Sequence, residues 1–151
     1  SIVRFLNYPV RITYVGRLDK DSEGLLLMTN NGDIINRMMR AANKHEKEYK
    51  VTVDKPVTDE FLKEMAGGVP ILDTVTRPCQ VEKLGKYKFK IILTQGLNRQ
   101  IRRMCRQAGL SVLRLRRVQE HTLHLGNLPS GKWRYLTDEE LQDLKGSDGV
   151  E

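Results

Sequence analysis

The stretch Gly16-Arg17-Leu18-Asp19-Lys20-Asp21-Ser22-Glu23-Gly24-Leu25-Leu26-Leu27 places acidic residues in a glycine-bounded loop that runs straight into an apolar segment. Leu25 to Thr29 has the length and apolarity of a buried strand. Asn30-Asn31-Gly32-Asp33 is a turn signal ahead of a helical stretch from about Ile34 to Ala42. Further on, Tyr49, Val51 and Val53 alternate with Lys50 and Thr52, as a half-buried strand does. Thr58 can cap a helix through Met65, with Asp59 and Glu60 suited to its first turn and Gly67-Gly68 to its end. Tyr87, Phe89, Ile91 and Leu93 alternate with Lys86, Lys88 and Lys90, predicting a strand with a basic outer face. Asn98 to Ala108 is predicted helical, Gly109 ends it, and Val112 to Val118 is again extended. Thr137 and Glu140 have the spacing of a capping box that opens a last helix to about Leu144. Strands outnumber helices and do not alternate with them, so the expected class is α+β. Residues 1–145 then form one domain and 146–151 a flexible C-terminal tail.

Apolar side chains make up 39% of the 151 residues, enough to exclude a disordered chain and to fill one core. No apolar run approaches the roughly 18 residues of a membrane span. Ile2-Val3-Arg4-Phe5-Leu6 is too short and too charged for a secretory signal. Two cysteines, Cys79 and Cys105, do not make a disulfide scaffold, so a cytoplasmic setting is expected. The chain opens on Ser1 just ahead of its most telling motif, as a fragment or a processed form would.

The net charge of +7 has a location. Between Leu97 and Val118 there are seven arginines (Arg99, Arg102, Arg103, Arg106, Arg114, Arg116, Arg117) and no acid, which accounts for the whole excess. A solvated face would intersperse signs, and a membrane surface would want aromatics beside the charges. A focused basic stripe is the footprint of a phosphate-backbone partner. At about 100° per residue, Ile101, Met104, Cys105 and Ala108 share one stripe of the predicted helix, with Arg99, Arg102, Arg103 and Arg106 opposite. Arg102 lies nearest the boundary, roughly 60° from Cys105, and can turn inward toward a partly buried carboxylate. Arg99, Arg103, Arg106 and Arg116 are left as phosphate contacts.

Metal and hydrolytic chemistries find little support. His45, His121 and His124 are the only histidines, and neither cysteine sits in a CxxC pair, so no metal site is predicted. No GxxxxGK[ST] loop occurs, and Ser22 has no histidine near it in sequence.

The Gly16-Arg17-Leu18-Asp19 loop with Ser22, Gly24 and the three leucines resembles the main motif of the RsuA/RluF-like ribosomal RNA pseudouridine synthases, the RluF type above all. The likeness continues through His45-Glu46-Lys47-Glu48-Tyr49, Gly96-Leu97-Asn98-Arg99-Gln100-Ile101-Arg102-Arg103-Met104 and Leu113-Arg114-Leu115-Arg116-Arg117, over nearly all of residues 13–144. It implies isomerisation of a uridine within RNA: the C1′–N1 bond breaks, the base rotates and a C1′–C5 bond forms. Neither redox change nor group transfer is involved, so no cofactor is expected. The implied fold has a mixed, mainly antiparallel central sheet flanked by helices. Asp19 takes the place of the nucleophile and Arg102 that of its guanidinium partner. Tyr49 stacks on the target uracil and is placed to take the C5 proton. Arg17 steadies the flipped-out nucleotide, and Leu115 floors the pocket. Large-subunit ribosomal RNA is the implied substrate, with the protein a monomer. The small RNA-binding domain that precedes the catalytic one in full-length relatives is not part of this sequence. The competing reading is a non-catalytic RNA-binding module in ribosome assembly, against which intact Asp19, Tyr49 and Arg102 argue.

Overall fold

A computed structural model describes residues 13–15, 21–29, 46–120, 123–124, 126–128 and 132–140. Strand β4 (Lys47–Val53) is central, because its odd residues Val51 and Val53 are buried while Lys50 is exposed. It pairs antiparallel with β8 (Lys88–Leu93) on one side and β9 (Val112–Glu120) on the other. Beyond β8 lies β7 (Gln80–Gly85), and beyond β9 lies β10 (Leu123–His124), both antiparallel. The same outer edge of β9 also takes a parallel strand, β2 (Glu23–Gly24). The sheet is therefore mixed and mainly antiparallel, as expected. A separate antiparallel pair joins β1 (Thr13–Val15) to β3 (Leu27–Thr29), and β5 (Pro70–Ile71) with β6 (Thr74–Val75) forms a small hairpin.

Two helices complete one core. Helix α1 (Asp59–Gly67) is capped by Thr58, whose hydroxyl accepts from the Phe61 amide at 3.1 Å. Its Phe61 meets Phe89 of β8 edge to face, with ring centres 5.3 Å apart. Helix α2 (Gln100–Gln107) starts at Arg99, which is left-handed (φ 48°) and gives no side-chain cap. A missing cap costs about 0.5–2 kcal/mol. Ile101, Met104 and Cys105 are buried against the sheet. Each such apolar side chain gains roughly 1.5–3 kcal/mol on burial, so packing outweighs the lost cap. At the far end Gly109 (φ 82°) lets Leu110 donate to the Cys105 carbonyl at 2.9 Å and Gly109 to that of Arg106 at 3.0 Å, a Schellman closure. Val51, Phe89, Ile91 and Leu115 share the sheet face that both helices cover.

Several expectations shift. Leu25 to Thr29 is not one strand: Glu23–Gly24 pairs with β9, and Leu27–Thr29 leaves to pair with β1. Of its leucines only Leu27 is buried. Tyr87 stands exposed in the turn before β8. Asn98 and Arg99 precede the helix rather than belong to it. The capping box is present, with Thr137 N–H donating to Glu140 Oε1 at 2.9 Å and Glu140 N–H to Thr137 Oγ1 at 3.1 Å. Arg134 adds a fork onto the same carboxylate, and these bonds pull its pKa down to about 2. The turn at Asn30–Asp33, the helix at Ile34–Ala42, the rest of the last helix and the tail at 146–151 lie outside the described residues.

Candidate active site

Asp19 and Arg17 lie outside the described residues; the chain is described from Asp21 onward, two positions past Asp19. Helix α2 and strand β9 both bond the segment that begins at Asp21. Helix α2 brings Arg102, whose Nη2 donates to the Asp21 carbonyl at 2.8 Å and lies 3.5 Å from Ser22 Oγ. Its Nε is buried and finds no acceptor among the described residues. Arg102 is half-buried and reaches the Asp21 backbone, while Arg106 is exposed; the carboxylate expected to face Arg102 lies outside the described residues.

Strands β4 and β9 supply the rest. Tyr49 and Arg117 face each other across the two strands, and Val51 faces Leu115 one pleat further on. All four share the core face, so the phenol, the buried leucine and the helix guanidinium come to one side of the sheet. Tyr49 is half-buried, packed on the core edge beside Ile91.

Arg117 is the residue that the sequence did not single out from its stripe. It is 2% exposed, and both Nε and Nη2 donate to the Leu25 carbonyl, at 2.8 Å and 2.5 Å. The Leu25 amide returns a bond to the Arg117 carbonyl at 2.8 Å. Its parity with Leu115 on one strand was the available signal. Gly24 makes the clasp possible. Its φ is 115°, and a Cβ there would stand 2.2 Å from the Arg117 carbonyl oxygen. Gly24→Ala combines that backbone clash with left-handed strain of about 1–3 kcal/mol. A drop in melting temperature of at least roughly 5 °C is expected in a thermal melt; an unchanged melt would show that the clasp does not hold the loop.

The remaining arginines divide. Arg103 sits on its own helix start, Nε donating to the Asn98 carbonyl at 2.9 Å and Nη2 to Asn98 Oδ1 at 2.8 Å. Arg116 points to the face opposite Leu115. It therefore cannot line the same pocket as that leucine. Arg114 forks onto Glu23, with Nε–Oε1 at 2.6 Å, and holds its carboxyl below the usual range, burial opposing and Arg116 assisting. Gln100, buried at the start of α2, braces the loop before it. It accepts from the Leu97 amide at 3.2 Å and donates to Gln95 Oε1 at 3.2 Å. Neither cysteine offers a thiolate: burial pushes the Cys105 thiol up to about 12 and the Cys79 thiol to about 11. Among the described residues no three potential metal ligands come together, and no helix is long and apolar enough to cross a membrane.

A model of the RNA pseudouridylate synthase family matches residues 3–107. The chain belongs to that family. It is 56% identical over 144 residues to the dual-specificity RNA pseudouridine synthase RluF of Salmonella typhi, covering 95% of this chain and 50% of that protein. It is 34% identical over 147 residues to the ribosomal large subunit pseudouridine synthase B of Bacillus subtilis, covering 93% of this chain and 60% of that protein. A crystal structure of a pseudouridylate synthase superposes with a TM-score of 0.88 at 30% identity, over 95% of this chain and 65% of that one. The chain spans about half the length of the RluF relatives it matches. The α+β fold with a mixed sheet is the fold of this family of pseudouridine synthases.

Proposed function

We propose that this chain is the catalytic part of an RNA pseudouridine synthase that converts uridine in ribosomal RNA, most specifically of the large subunit, to pseudouridine. The observation that carries the reading is Arg102. A guanidinium from a helix about eighty positions away is bonded to the carbonyl of Asp21, two residues past Asp19, and its Nε is a buried donor with no acceptor among the described residues. A buried donor without an acceptor costs about 1–3 kcal/mol, and such groups are kept where an anion or a ligand is to be held.

In this proposal Asp19 is the nucleophile. A carboxylate enclosed beside a base and apolar side chains would protonate, and an adjacent guanidinium counters that by lowering its pKa about 1–3 units. Arg102 supplies that charge. Tyr49 stacks on the uracil, an interaction worth about 1–3 kcal/mol per base in single-strand binders. Its hydroxyl takes the C5 proton after the C1′–C5 bond forms, while N1, freed from the sugar, gains one, so the isomerisation balances internally. Arg17 steadies the everted nucleotide, whose unstacking costs a few kcal/mol, and Leu115 closes the pocket floor. Arg99, Arg103 and Arg106 hold phosphates along the exposed side of α2. The reaction needs no cofactor, and the protein acts in the cytoplasm as a monomer.

The test is tritium release from ribosomal RNA labelled at uridine C5. Release in step with new pseudouridine is the expected result. Binding without release on every ribosomal RNA tried would make this a binding module and end the proposal.

A further inference from the structure

The sheet face turned away from the helices carries a regular array of cations. In register across β9, β4 and β8, one row reads Arg116, Lys50, Lys90 and the next Arg114, Thr52, Lys88. Five of the six side chains on this patch are therefore basic, at the roughly 4.8 Å spacing of adjacent strands. Arg114, Lys50 and Lys88 are exposed, and Arg116 and Lys90 half-exposed. Among the described residues the acids beside the patch are Glu23 of β2, which holds Arg114, Glu82 of β7, which holds Lys90 at 2.9 Å, and Glu48, one row along β4 on the same face, which also attracts Lys90. Among the described residues neither Lys50 nor Lys88 has an ion-pair partner.

Like charges directly opposite on neighbouring strands destabilise a sheet. Here Lys50 stands between two of them, Arg116 and Lys90. A face that served only solubility would alternate signs, as the edges of this one do. The central cations are left mutually repelling, which a polyanion lying across them would relieve and a solvated surface would not.

We propose that this outer face is a second RNA-backbone surface, taking the phosphates of the segment that flanks the target uridine. It rests on RNA being the substrate, as proposed above. Tyr49, Leu115 and Arg102 occupy the other side of the sheet, so an RNA engaging both must pass around an edge of it. Only an RNA long enough to reach around that edge can do so. The surface adds affinity and reach without touching the reacting atoms.

The double variant Lys50→Gln/Lys88→Gln tests this, because it removes two cations and breaks no ion pair among the described residues. Binding is measured against salt for a short ribosomal stem-loop and for the same stem-loop with long single-stranded flanks. The parent protein should favour the long RNA. In the variant that preference should fall roughly tenfold at 0.1 M salt, and the log–log salt slope for the long RNA should flatten by about 1.4, near 0.7 per lost phosphate contact. Its low-salt melting temperature should equal or exceed the parent's, because repulsion has been removed. Lys50→Arg/Lys88→Arg should restore the preference. An undiminished preference for the long RNA overturns the proposal. So does an equal loss on both RNAs with a lowered melting temperature, which would make the lysines structural. Loss of binding to phosphatidylserine vesicles instead of RNA would identify a membrane surface and overturn it too. Tritium release by the parent on the short stem-loop separately decides the catalytic reading, so either proposal can fail alone.

Discussion

Asp19→Asn is expected to lower pseudouridine formation by at least about 10⁴-fold while RNA affinity stays within a few-fold of the parent. Asparagine keeps the size and most of the hydrogen bonding of the acid. What it removes is the negative charge and the nucleophilic oxygen. In the proposed reaction these act on C1′ or on the base and contribute little to holding the RNA, which the arginines bind. Tritium release and filter binding on the same preparation separate the two quantities. If both collapse together, the acid shapes the loop and is not the nucleophile.

Arg102→Gln is the second large effect. The guanidinium bonds the Asp21 carbonyl through Nη2 and keeps Nε buried within the same site. In the proposed reaction its loss removes the charge that keeps Asp19 ionised. With that cation gone the acid's pKa rises by about 1–3 units, so the ionised fraction falls at a given pH. Turnover should drop by roughly 10²–10³-fold near neutrality, chiefly because the Asp21 segment loses its anchor, and the acid limb of the pH–rate profile should move upward by the same 1–3 units, so that lowering the pH deepens the loss. Arg102→Lys should rescue incompletely, because a point charge on a flexible stem cannot bond the loop carbonyl and fill the Nε position together. Arg103→Gln is the comparison. Its guanidinium rests on Asn98, so its loss should appear in KM and leave the acid limb where it was. An acid limb that does not move in Arg102→Gln would remove Arg102 from the role of charge partner.

The elements held by local chemistry could be read in advance. Thr58 with its two following acids, the alternation of Val51 and Val53, and the apolar stripe Ile101-Met104-Cys105 each encode a partner or a face within a few residues. What local pattern could not give is pairing at a distance. A run of three leucines after Gly24 looks like one strand, because its apolarity does not say that Leu25 bonds β9 while Leu27 turns away to β1. Arg117 did not stand out from the basic stripe because its partner is a carbonyl 92 positions earlier. Arg116 and Leu115, adjacent in the motif, lie on opposite faces of the sheet, as strand parity requires. Of the candidate site, Arg102, Tyr49 and Leu115 come to one side of the sheet, while Asp19 and Arg17 lie outside the described residues.

The bond from Arg117 to Leu25 also sets an order of assembly. Synthesis runs from the N-terminus, so 92 more residues must emerge after Leu25 before its carbonyl can be gripped. Closing so long a span is slow compared with winding a helix or zipping a hairpin. The segment around Leu25 is thus among the last parts to be seated. A nascent chain still short of Arg117 leaves that carbonyl without the guanidinium that fixes it.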